Sequence, residues 1–202
     1  MISFATSFVT VGGVDGDYLE FGVYQGESFI NAWNELHGTK RRLFAYDSFA
    51  GLPDPDQSEV DRDGEFAVGE FAYAQAGFER NLRRAGVDRS RVTIVPGFYE
   101  ETLRHPPKEH GVERAAIVWI DCDLYESARL VLDYLTSILV DGAVLIFDDW
   151  FCFRARSNKG EQRACAEWLE RNQHLEVVPY RDFHWGGKSF IVHRQDGSIS
   201  GN

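Results

Sequence analysis

Trp119-Ile120-Asp121-Cys122-Asp123-Leu124-Tyr125-Glu126-Ser127, read with Leu145-Ile146-Phe147-Asp148-Asp149-Trp150, decides how the chain folds. In each stretch a short apolar run passes directly into carboxylates. The runs, Ala115 to Ile120 and Ala143 to Phe147, lack the polar alternation of a half-exposed strand. They read as strands buried on both faces of a parallel sheet. Open α/β sheets bind ligands beyond the carboxyl ends of such strands, which would bring Asp121, Asp123, Asp148 and Asp149 to one crevice. That density of negative charge is hard to tolerate without a cation, and an all-oxygen donor set points to a hard ion such as Mg²⁺ rather than zinc. Helix capping accounts for a single aspartate after a strand, and so for Asp123, but it explains the adjacent pair Asp148-Asp149 poorly.

Composition narrows the classes. With 202 residues, 44% of them hydrophobic, the chain is long enough for one domain with a substantial core. A formal charge of −11 argues against binding nucleic acid through its phosphates. No apolar run is long enough to span a bilayer, and Met1-Ile2-Ser3-Phe4 lacks the basic start and apolar stretch of a signal peptide. Cys122, Cys152 and Cys165 are odd in number and have no CxxC spacing. They read as reduced thiols of a cytoplasmic protein, forming neither a disulfide framework nor a zinc site.

Residues 1–16, with turns at Gly12-Gly13 and Asp15-Gly16, read as a strand or a partial helix leading into the sheet. Asp17-Tyr18-Leu19-Glu20-Phe21-Gly22 is the first strand, and Val23-Tyr24-Gln25-Gly26-Glu27-Ser28 turns into a helix running to about His37. A glycine turn between strand and helix lets a ligand approach the backbone. The spacing Glu20-x-Gly22-x-x-x-Gly26 is not the dinucleotide fingerprint. Leu43-Phe44-Ala45-Tyr46 is the second strand and ends at Asp47, 21 residues beyond Gly26. That offset is close to the one at which an acid binds a ribose diol, so the two features together indicate a nucleoside-containing ligand.

Residues 48–73 form the one long irregular stretch, since Leu52-Pro53-Asp54-Pro55-Asp56 cannot be helix interior. Between Asp54 and Glu70 seven acids face Arg62 alone. Such a loop is either a solvated acidic surface or a lid, and Phe66 and Phe71 favour the lid. A helix from about Glu70 to Ala85 stops at Gly86. The third strand is Arg91-Val92-Thr93-Ile94-Val95, followed by a short helix from Glu100. After the Trp119 strand come a helix from about Glu126 to Leu139, a turn at Asp141-Gly142, the Ala143 strand and a helix over residues 160–172. Two last strands, about 175–180 and 188–193, close the chain. The expected fold is α/β in a single domain: a doubly wound, seven-stranded, mostly parallel sheet whose last two strands form an antiparallel pair.

That architecture is the Rossmann-like one of class I S-adenosylmethionine (SAM)-dependent methyltransferases. Within it the chain resembles the macrocin-type (TylF-like) O-methyltransferases, which methylate sugar hydroxyls of bacterial natural products. The resemblance runs from Tyr18 to about Trp168 and is carried by five ordered blocks: residues 19–28 (LEFGVYQGES), 46–53 (YDSFAGLP), 96–103 (PGFYEETL), 120–127 (IDCDLYES) and 147–150 (FDDW). Members of that family usually carry a longer N-terminal region over the acceptor; sixteen residues precede the first strand here.

The resemblance implies SAM and Mg²⁺ as cofactors, a small hydroxylated acceptor as partner, and a homodimer as an assembly open to the chain. It implies that Asp121, Asp148 and Asp149 hold the metal and that Asp123 is the general base, with Asp121 and Asp123 free to exchange roles. Glu20, Gly22, Gly26 and Ser28 would surround the methionine portion of SAM, Asp47 its ribose, Ser48 and Phe49 the adenosine end, and Gly97 and Phe98 the adenine, with Asp121 reaching the cofactor as well. Phe49 and Phe98 read equally as core aromatics. His184 is placed outside the site, as a surface or packing residue. Two other classes share parts of this pattern. An NAD-dependent oxidoreductase has the glycine turn and the ribose acid but not this glycine spacing, and a non-catalytic SAM-binding protein would have little use for four intact aspartates.

Overall fold

The apolar runs pair as their lack of alternation predicts. In the computed structural model, which describes residues 1–55, 58–62 and 66–195, β4 (Ala115–Ile120) is buried along its whole length. It lies beside β1 (Asp17–Phe21) and β5 (Leu139–Phe147), parallel to both. Among the described residues the sheet has seven strands in the order β3-β2-β1-β4-β5-β7-β6, adding β2 (Leu43–Asp47), β3 (Val92–Pro96), β6 (Leu175–Phe183) and β7 (Gly187–Arg194). β7 runs antiparallel to both β5 and β6, so the expected terminal pair is present. The edge strands β3 and β6 are largely half-buried or exposed, whereas β1, β2 and β4 are buried almost throughout.

Among the described residues six α-helices accompany the sheet: α1 (Ile2–Val11), α2 (Glu27–Leu36), α3 (Gln75–Arg84), α4 (Tyr99–Thr102), α5 (Tyr125–Leu135) and α6 (Gly160–Arg171). α1 resolves the open reading of residues 1–16: Ile2, Ala5, Thr6 and Val9, at helical spacing, are its buried face. α3 begins at Gln75 rather than near Glu70. Glu70 is held in the loop, where its carbonyl accepts Leu52 N–H at 2.9 Å and Leu52 O accepts Gly69 N–H at 2.9 Å. Nor do Asp141-Gly142 form a turn ahead of the strand. β5 starts at Leu139, and its pairing to β4 jumps from Ala115↔Leu139 to Ile117↔Val144, leaving Asp141-Gly142 in an outward bulge with Gly142 at φ 80°. The acidic residues Asp56, Asp63 and Glu65 of the loop lie outside the described residues.

Glu20 is a charge-bearing group in the middle of this core, with none of its surface exposed. The Tyr18 hydroxyl donates to Oε2 and the Ser28 hydroxyl to Oε1, the latter at 2.6 Å. Burial, reinforced by Asp148 and Asp47, outweighs those two donors and pushes the carboxyl from 4.5 to about 8. Glu20 therefore stays protonated in the fold at pH values where the unfolded chain has released its proton. The raised pKa contributes stability in full below the unfolded value, and this is lost as pH rises towards the folded one. Glu20→Gln is neutral in both states. Its stability relative to wild type, read by urea denaturation, should therefore increase from about pH 5 to about pH 8, by an amount on the order of a few kcal/mol. A difference that stays constant across that window would mean that Glu20 ionises in the fold as it does in solution.

Candidate active site

Register places the site. Phe21 pairs with Tyr46 and with Ile120, and Ile120 pairs with Phe147. One residue further on, Asp47, Gly22, Asp121 and Asp148 therefore stand in a row across four strand ends. Where that row crosses from β1 to β4 the strand order reverses, and the chain opens a cavity of about 330 Å³. Glycine is required at 22: the residue has φ 88°, and a Cβ would lie 1.7 Å from the Asp121 carbonyl oxygen. Gly26, at φ 87°, caps α2 in a left-handed conformation with the Phe78 ring against its back.

The expected cofactor residues divide into two sets. Gly22, Asp47, Ser48, Gly97, Phe98 and Asp121 line the cavity. Glu20, Gly26 and Phe49 do not: Glu20 is sealed beneath it, and Phe49, at φ 55°, packs on Phe78 with ring centroids 5.8 Å apart. Ser28 opens onto a neighbouring groove, its hydroxyl committed to Glu20. Asp47 has a structural duty as well as a place on the wall. Its Oδ2 accepts Val23 N–H at 2.8 Å and Tyr24 N–H at 3.1 Å, and its Oδ1 accepts Phe49 N–H at 2.7 Å. One carboxylate thus fastens the glycine turn of β1 to the end of β2. Tyr24, absent from the expected site, stands half-exposed on the cavity wall, edge-on to Phe71 and Tyr73. Its position inside the glycine turn was the available signal.

At the other end of the cavity Asp121, Asp123 and Asp149 bring one carboxylate oxygen each to within 4.8 Å of one another. Asp123 reaches this position through a left-handed backbone, φ 57°, and its N–H donates to Asp149 Oδ2 at 3.2 Å. Such an outlier in a residue with a Cβ is characteristic of functional positions. The expected metal set, Asp121, Asp148 and Asp149, shares two members with this cluster. Asp148 lies beside it on the cavity wall, its Oδ1 3.1 Å from His184 Nε2.

Burial first, and mutual repulsion second, raise the carboxyls of Asp121, Asp123 and Asp149 above the ordinary aspartate range. Two unit charges about 5 Å apart at an effective dielectric of about 20 repel by about 3 kcal/mol. No lysine or arginine is among the described residues lining the cavity. Beneath the cluster lies Glu161, which the sequence presented only as an ordinary acid in the first turn of α6. It is 1% exposed; Oε2 accepts Asp149 N–H at 3.1 Å, while Oε1 has no hydrogen-bond partner. All-oxygen donors, an orphaned buried oxygen and no lining cation side chain fit a hard divalent ion.

The acidic loop contributes too. Asp61 is 3% exposed and caps α5, accepting Tyr125 N–H at 2.7 Å and Glu126 N–H at 3.2 Å. It satisfies amide groups that Leu124, the residue at the cap position, cannot. Lys159 Nζ donates to Val60 O, tying the same segment to the start of α6. A second hollow, of about 1110 Å³, runs between the start of α1, α2 and the β6–β7 turn. It shares Tyr24, Asp121 and Asp148 with the first cavity, so the two meet at the aspartates.

Comparison with known proteins agrees with this geometry. The family described as Macrocin-O-methyltransferase (TylF) matches residues 2–173. The chain is 33% identical over 156 residues to the 8-demethyl-8-(2,3-dimethoxy-alpha-L-rhamnosyl)-tetracenomycin-C 4'-O-methyltransferase of Streptomyces olivaceus, covering 74% of this chain and 58% of that protein. It is 30% identical to the Mycinamicin III 3''-O-methyltransferase of Micromonospora griseorubida, over 68% of this chain and 56% of the relative. It therefore spans less than two thirds of the length of these relatives. The fold is similar to that of the O-methyltransferase NovP, with a TM-score of 0.75 and 23% identity over 96% of this chain and 78% of that one. A family match that takes in both the glycine turn and all four aspartates shows that the chain belongs to the TylF macrocin-O-methyltransferase family.

Proposed function

We propose that the chain is a SAM-dependent O-methyltransferase that uses Mg²⁺ and acts on a hydroxyl of a sugar or another small natural-product acceptor. The observation that carries this reading is adjacency: one cavity runs from the turn held by Asp47 to the buried aspartates. The family is one of O-methyltransferases, and the relatives named above are O-methyltransferases of tetracenomycin and mycinamicin compounds. Family membership sets aside the nicotinamide alternative.

Bound, the sulfonium would supply an electrophilic methyl group and the divalent ion would make an acceptor hydroxyl more acidic. The chain's own part is to hold and align. Gly22 lets the cofactor approach the backbone, Asp47 faces the ribose, and Gly97 and Phe98 border the adenine. Fixing two reactants in line is worth roughly 7–11 kcal/mol. Asp121, Asp148 and Asp149 hold the ion. Asp123, within reach of the same point, takes the hydroxyl proton once its own has been displaced on ion binding, and its burial favours holding that proton. The described residues of the acidic loop, 54–55, 58–62 and 66–70, act as a lid, hinged where Leu52 pairs with Gly69 and Glu70 and latched where Asp61 caps α5.

S-adenosylhomocysteine release from a panel of hydroxylated sugars and catechols, with and without Mg²⁺, tests the reading directly. EDTA should abolish turnover and Mg²⁺ restore it; full transfer by the stripped protein would remove the ion from the mechanism. Asp149→Asn should lose Mg²⁺ binding by calorimetry while keeping affinity for S-adenosylhomocysteine. Asp123→Asn should keep the ion yet slow transfer about 100- to 10,000-fold. Equal loss of the ion in both variants would make Asp123 a ligand instead of the base.

The lid has its own measurement. Protease cleavage within residues 54–70 should slow when S-adenosylhomocysteine is added. Asp61→Ala, which removes the latch at a cost of about 1 kcal/mol, should speed cleavage without ligand. Identical cleavage in all three conditions would leave the segment a plain acidic surface.

A further inference from the structure

His184, outside the site expected from the sequence, occupies the turn between β6 and β7, where Phe183 pairs with Gly187. Its φ is 37°, a left-handed conformation that a residue with a Cβ holds only when its surroundings enforce it. The surroundings are plain. Phe151 N–H donates to Gly186 O at 2.8 Å, and the Phe183 ring packs on Trp119 with centroids 5.5 Å apart. Gly186 N–H donates to His184 Nδ1 at 2.9 Å. A ring nitrogen that accepts carries no hydrogen, so the imidazole hydrogen is on Nε2, and Nε2 stands 3.1 Å from Asp148 Oδ1. Among the described residues no group donates to Asp148 Oδ2.

We propose that His184 is a positioning residue: from a turn locked to the end of β5, its Nε2–H holds Asp148 by Oδ1 and leaves Oδ2 to bind the divalent ion. This rests on the reading of Asp148 as a ligand. A carboxylate at a cavity wall can rotate and offer either oxygen, or both. A donor fixed on one oxygen removes that freedom and makes the other the ligand atom. Hydrogen-bond partners of ligands act in this way, and losing one costs about 10- to 100-fold in metal affinity. The arrangement also explains why Asp148 stands apart from the close cluster of Asp121, Asp123 and Asp149. It is held from the groove side, where His184 lines the second hollow.

Mn²⁺ binding to the full chain, measured by calorimetry, tests this with four variants. His184→Asn suits the left-handed backbone, but its short amide cannot reach Asp148. His184→Gln places an N–H where Nε2–H stood. The expected result is an Mn²⁺ affinity at least about tenfold weaker in His184→Asn, largely recovered in His184→Gln. Adding His184→Asn to Asp148→Asn should cost nothing further. S-adenosylhomocysteine affinity should match wild type in both single His184 variants. If Asp148→Asn weakens Mn²⁺ binding and His184→Asn does not, Asp148 remains a ligand and the positioning role is overturned. If Asp148→Asn has no effect, the ligand reading and the positioning role both fall. An additive loss in the double variant would make His184 itself a ligand, which also overturns the proposal.

Discussion

Gly22 N–H donates to Tyr46 O at 2.8 Å, Asp121 N–H to Phe21 O at 2.9 Å, and Asp148 N–H to Ile120 O at 2.9 Å. These three bonds continue the parallel ladder by one step past the last paired residues, and the site depends on them. A slip of one residue between β1 and β4 would carry Leu19 and Phe21, both fully buried on one face, together to the other face. It would also part Gly22 from Asp121. Burial of a Leu or Phe side chain is worth about 1.5–3 kcal/mol, so the apolar residues that fill the middle of the sheet enforce the register that aligns the polar ends. The aspartates need no stabilising contacts among themselves to be brought together; the core does it.

What could be read in the sequence follows from this division. Strands buried on both faces show as unbroken apolar runs, and β4, β5 and the order of the chain were legible for that reason. The aspartates follow those runs directly, so their gathering at one crevice was legible too. Fine geometry was not. Asp123 joins the close cluster because its backbone is left-handed, which a sequence states only when glycine occupies the position. Glu161 and Asp61 act through contacts 12 and 64 residues away along the chain. No local pattern distinguishes an acid that supports Asp149, or caps a distant helix, from one that faces solvent. α1 was ambiguous because ten residues with two glycines beyond them suit either kind of short element. The end of α3 was marked by Gly86, whereas its start was set by the pairing of Leu52 with Gly69 and Glu70, a tertiary constraint.

The buried carboxyls give the cavity two ends of different character. At the Asp47 end the carboxyl accepts three backbone N–H groups, which fasten the glycine turn to the end of β2. At the Asp121 end, no backbone group among the described residues donates to the carboxyl of Asp123 or Asp121, while burial raises both. The chain answers that charge by retaining protons instead. A divalent ion entering the cluster must displace those protons, so ion affinity and proton affinity compete for the same oxygens. The same protons keep the cluster tolerable where the described lining residues include no lysine or arginine. The cost of ionising Asp121 and Asp123 therefore falls on the binding step and not on folding.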